Sequence, residues 1–137
     1  MVPQIHFLPV LVSAIVAFFL GALWYSPALF GKPWVAANRL TDEQIARMRS
    51  GAARSYGVSF VCILVMAVAM AVLVARVQPV GLLGGLKLGA LVGIGFAAMV
   101  SLTANMYSDK PIAAWAIDAG YQVTYLIFMG AVLTVWR

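Results

Sequence analysis

Residues 56–77 read YGVSFVCILVMAVAMAVLVARV, an apolar run whose one charged side chain, Arg76, stands next to its end. About 20 such residues carry a helix across the hydrocarbon core of a bilayer. Comparable runs occupy residues 5–25, 82–105 and 112–136, so four predicted spans account for most of the chain. Lipid offers no hydrogen-bond partner to a backbone amide, so each span must satisfy itself. Continuous runs of Ala, Leu, Met and Gly do this as helices, where a barrel would need alternating polar and apolar residues. The expected fold is all-α: an integral membrane four-helix bundle forming one transmembrane domain over residues 1–137.

Composition leads to the same class. Charged residues make up 9% of the chain and hydrophobic ones 64%, with a mean hydropathy of +1.00, which excludes a water-soluble core. The net charge of +5 comes from residues at span ends and in one loop. It forms no basic stripe interleaved with exposed aromatics, so no nucleic-acid partner is expected. Cys62 is the sole cysteine and rules out an internal disulfide. The first run is read as a retained span, because Met1 to Gln4 carry no basic side chain and the run ends in Trp24-Tyr25-Ser26-Pro27 where a signal peptide would have a small-residue cleavage site.

Charge also sets the expected orientation. Lys32, Arg39, Arg47, Arg49 and Arg54 in the first loop and Lys110 in the third stand against Arg76, Lys87 and Arg137 on the other side. The positive-inside rule then places the first and third loops in the cytoplasm and both termini outside. Thr41-Asp42-Glu43-Gln44 has the pattern of a capping box. It predicts a short, weakly amphipathic, basic helix continuing through Ile45, Met48 and Ala52 to Ala53, suited to lie on an anionic leaflet. Ahead of it, the segment from Trp24 to Trp34 reads as an interfacial aromatic anchor. Pro27, Gly31 and Pro33 impose turns there, and the alternative is a lid folded over the bundle.

Helices in lipid associate through close packing more than through hydrophobicity, and the third span carries Gly85, Gly89 and Gly93 on one ridge at four-residue spacing. The ridge faces either another span or a second subunit. The large exposed share of four short helices favours a homo-oligomer among membrane lipids.

Asp118 is the most informative single residue. A carboxylate some two turns into the fourth span costs about 2.5–3.5 kcal/mol to insert, so it must find partners or water. Tyr121, Gln122 and Tyr125 follow on its face at helical spacing. Trp24, Tyr25, Asn105 and Arg54 come from the same end of their own spans, and together these side chains define a candidate polar cavity. One reading makes it structural, with Asp118 paired to Lys110 or Arg54 or hydrogen-bonded by Tyr25, Asn105 or Gln122. The other makes it a site for a proton or small cation lined by aromatic rings. No enzyme, cofactor or metal site is expected. His6 lies near the opposite face, and no second acid, nucleophile elbow or phosphate loop accompanies Asp118.

The stretch from Leu20 to Trp34, with Trp24-Tyr25-Ser26-Pro27 and Phe30-Gly31-Lys32, and the later Ile117-Asp118-Ala119-Gly120-Tyr121-Gln122 followed by Met129-Gly130-Ala131 resemble a bacterial family of small four-span membrane proteins of unknown function. The resemblance covers nearly the whole chain and implies four spans in an inner membrane, with no reaction or ligand attached. Members of that family commonly carry asparagine and histidine where this chain has Asp118 and Gln122. The small multidrug-resistance exporters share the size and span count, but their intramembrane glutamate lies in the first span, where this chain has no acid. The first functional expectation is transport of a small molecule or ion by a homo-oligomer. The alternative is a non-transporting membrane partner or lipid-organising protein.

Overall fold

The computed structural model describes residues 4–136; Met1 to Pro3, and Arg137 with its share of the charge count, lie outside the described residues. Every regular element among them is helical: α1 (Phe7–Trp24), α2 (Gly31–Ala37), α3 (Asp42–Ser50), α4 (Ala52–Val77), α5 (Gly81–Val92), a π-helical turn (Gly93–Ala97), α6 (Ala98–Tyr107) and α7 (Ile112–Val135). α5, the π turn and α6 run on as one span, Gly81–Tyr107, so four helices are long and apolar enough to cross a membrane.

The differences from the expected boundaries have local causes. The capping box forms: the Gln44 backbone N–H donates to the Thr41 hydroxyl at 3.2 Å, and the Thr41 N–H donates to the Gln44 side chain at 2.8 Å. The helix it starts stops at Ser50, however. Gly51 leaves helical geometry (φ −96, ψ 9) and serves as C-cap of α3 and N-cap of α4. Ala52, Ala53 and Arg54 therefore belong to the second span. The segment read as a series of turns also contains the short helix α2. Pro33 is tolerated there because it sits in the first turn, where a backbone N–H has no intrahelical acceptor to lose.

α7 is the axis of the bundle. α1 and α4 pack on each other and on α7, whereas α5 and α6 lie against α7 and α5 meets α4 only marginally. The core between α1, α4 and α7 is built from Val10, Ala14, Ala17, Ile63, Ala67, Met70, Val74, Tyr125, Met129 and Leu133. All buried residues of α4 lie from Ile63 onward; in its first turns Tyr56 and Phe60 pack edge-on against Phe18 of α1. On the other side of α7 the glycine ridge makes near backbone contact. A Cβ on Gly85 would stand 2.5 Å from the Gly130 carbonyl oxygen, one on Gly89 2.5 Å from the Ile127 Cα, and one on Gly93 3.0 Å from the Val123 Cα. The ridge is therefore occupied within the chain, which also explains why Gly130 recurs on the facing helix.

Gln4, His6 and Trp136 line one small cavity of about 40 Å³ at one end of the bundle. Residues of the first loop share a cleft with Asp109 and Lys110 at the other end. Gln4 and Trp136 thus lie together on one face, and the first and third loops on the opposite one.

Candidate functional site

Two sequence segments meet at the loop-side end of α1 and α7, and they interlock through reciprocal small and aromatic residues. The Tyr121 ring lies on Gly21, where a Cβ would come within 2.7 Å of the phenol oxygen. The Trp24 ring lies on Gly120, where a Cβ would stand 3.1 Å from the indole. With both glycines giving way, the polar tips reach across. The Tyr121 hydroxyl donates to the Ala17 carbonyl at 2.7 Å, and the Trp24 indole N–H donates to the Ile117 carbonyl at 3.0 Å. The Tyr25 hydroxyl donates to the Asp118 carboxylate at 2.5 Å, a short, charge-assisted geometry.

The turn after α1 holds this arrangement in place. The Phe30 N–H bonds the Trp24 carbonyl and the Gly31 N–H bonds the Ser26 carbonyl, closing a compact loop. Gly31 is needed for closure, since a Cβ would come within 2.9 Å of the Ser26 backbone. Phe30 then rests on the Trp24 ring, with centroids 4.7 Å apart, and α2 brings Trp34 edge-on to Tyr25 at 5.7 Å. Tyr121 contacts Tyr25 at 5.7 Å and Tyr125 at 4.9 Å, and the Tyr125 hydroxyl reaches the Met66 sulfur at 3.2 Å. Asp118, half-buried, is thus held by Tyr25 beside an aromatic stack running from α2 to the middle of α7.

Of the expected cavity residues, Asp118, Tyr25, Trp24, Tyr121 and Tyr125 come together. Gln122 joins them one turn beyond Asp118, and its side-chain oxygen is buried with no hydrogen-bond partner. Asn105 and Arg54 do not take part. The Asn105 amide is used in the α6–α7 hairpin, where it donates to the Lys110 carbonyl at 3.0 Å and the Pro111 carbonyl at 3.4 Å. Arg54 is exposed on the first turn of α4, where that helix buries nothing. Among the described residues Asp118 forms no ion pair with Lys110 or Arg54; its partner is the tyrosine. Trp115, one turn before Asp118, instead ties α7 to the third span just past the π turn, donating to the Ala98 carbonyl at 3.0 Å. His6 precedes α1 at the far end, exposed, and among the described residues no three His, Cys, Asp or Glu side chains gather as a metal site.

The sequence reading missed the use of Trp34 as a wall of the site and the role of Gly21 and Gly120 as seats for aromatic rings. The signal lies in the repeated pairing of a glycine with an aromatic one turn or less away on each helix: Gly21 before Trp24, and Gly120 before Tyr121.

Four helices long and apolar enough to cross a membrane define a multi-pass helical membrane protein. The chain belongs to the family described as protein of unknown function DUF1761, whose model matches residues 8–134. No curated protein and no solved structure matches the chain.

Proposed function

We propose that this protein is a non-catalytic, non-transporting component of a bacterial cytoplasmic membrane that organises lipids or partner chains around a rigid bundle, as a homo-oligomer with both termini outside. The observation that carries this reading is the set of hydrogen bonds around Asp118 that tie α1 to α7. Tyr25, Trp24 and Tyr121 each spend their polar atom on an acceptor within the same chain. Such bonds fix the register of α1 on α7 and leave these three donors nothing to offer a passing substrate. The outward side of the third span, with Leu83, Leu91, Phe96 and Val100 exposed, supplies an apolar face for lipid or a second copy.

A second reading, passage of a proton or small cation through Asp118, is favoured by one observation. The buried, unpartnered Gln122 oxygen adds a second acceptor one turn from the carboxylate, a combination suited to a cation or proton donor. Purified protein in liposomes separates the two. The organising reading predicts that wild type and Asp118→Asn give the same proton and monovalent cation flux as empty liposomes. Flux above that background in wild type that Asp118→Asn abolishes would establish passage in its place.

A further inference from the structure

The loop-side face carries a second, separate site. α2, the start of α3 and the α6–α7 hairpin surround an open cleft of about 680 Å³, lined by Trp34, Asn38, Arg39, Gln44, Lys110 and Asp109 together with apolar Leu40, Met48 and Pro111. We propose that this cleft binds a phosphate group, as carried by an anionic phospholipid headgroup or by a small phosphate compound at the membrane surface.

The donor inventory points to an anion. Trp34 lines the cleft, and its indole N–H is buried with no acceptor in the protein, a donor that costs free energy while it stays unpaired. Gln44 uses its carbonyl oxygen to accept the Thr41 N–H, so its NH2 group is the end left to donate. Arg39 and Lys110 bring two cations to the same walls, and Asp109 is the one acid among the lining residues. The planar Arg39 guanidinium is the side chain suited to bidentate phosphate recognition on this wall.

Local backbone geometry supports a built cleft. α2 and α6 both end in the same motif: the Leu40 N–H returns to the Val35 carbonyl and the Lys110 N–H to the Asn105 carbonyl. In each, the residue that turns the chain is left-handed, Arg39 at φ 52 and Asp109 at φ 54. Glycine is the cheaper residue at such a position, yet both side chains present here line the same cleft. The apolar lining suits the glycerol and first acyl carbons of a lipid, and the edge contact of Trp34 with Tyr25 connects the cleft to the Asp118 clasp.

This inference rests on the lipid-organising reading for its biological setting, but its test is independent of oligomerisation and flux. Delipidated protein in neutral detergent would be titrated with dioctanoyl phosphatidylglycerol, dioctanoylglycerol or inorganic phosphate while its thermal midpoint is followed. Wild type should show a saturable rise with phosphatidylglycerol and none with dioctanoylglycerol. Arg39→Gln with Lys110→Gln should weaken half-saturation about tenfold or more, while the charge-matched pair Arg47→Gln with Arg49→Gln, outside the cleft, should stay within about twofold. Trp34→Phe, which removes the N–H together with the fused five-membered ring, should weaken binding severalfold. A matching rise with inorganic phosphate would assign a soluble phosphate compound; a rise with the phospholipid alone would assign a headgroup. Equal weakening in the two charge-reduced pairs, or no saturable rise in wild type, would overturn the site even if the oligomer is intact and flux is absent.

Discussion

Asp118 stands out in the sequence because a carboxylate in a span costs several kcal/mol unless it is partnered. What the sequence could not decide was the partner. Tyr25, Asn105, Lys110 and Arg54 all come from the correct end of their spans, and only the rotation of α1 against α7 selects Tyr25. That rotation is set by two glycines whose purpose is invisible until the facing rings are known. Gly21→Ala should therefore be costly, by about 1–3 kcal/mol, because the new methyl meets the Tyr121 hydroxyl at 2.7 Å. Tyr121→Phe removes that oxygen and its bond to Ala17. The double variant should then be more stable in detergent than Gly21→Ala alone, by chemical denaturation. If it is less stable, by the sum of the two single effects, Tyr121 is not seated on Gly21.

At the level of elements, apolar runs made the four spans legible to within a few residues, because bilayer thickness fixes their length. The short helices were legible only where a side-chain signal existed. Thr41 and Gln44 announced α3, whereas α2 has no capping side chain and hides behind Pro33. The spacing of Gly85, Gly89 and Gly93 made a close crossing readable but not its partner, since Gly130, Leu126 and Val123 on α7 carry no matching period. The π turn at Gly93–Ala97 had no signal at all. Two glycine substitutions should have opposite signs. Gly89→Ala forces the third span away from Leu126 and Ile127 and should destabilise by about 1–3 kcal/mol. Gly57→Ala sits in open space on α4 and should stabilise by up to about 1 kcal/mol through helix propensity. Thermal midpoints of the two variants check this pair, and a neutral Gly89→Ala would mean that the α5–α7 crossing is looser than the structure has it.

For the whole molecule, α7 is the element on which everything else is placed, so the account depends on how firmly α1 and the third span are held to it. Gln4, His6 and Trp136 share one end of the bundle, and the orientation we propose puts the basic first and third loops inside. In a Cys62→Ser background, Asp42→Cys should be shielded from an impermeant thiol reagent in intact cells and react after permeabilisation. Reaction in intact cells would invert the proposed topology, and with it the cytoplasmic setting proposed for the cleft. The central claim is that Asp118 is a structural clasp on Tyr25 that holds α1 to α7. It is tested most directly by a double-mutant cycle of Tyr25→Phe and Asp118→Ala in denaturant-monitored stability. The account predicts a coupling energy of about 1–2 kcal/mol, the range of a strong hydrogen bond between membrane helices; additive single effects, with coupling within about 0.3 kcal/mol of zero, would contradict it.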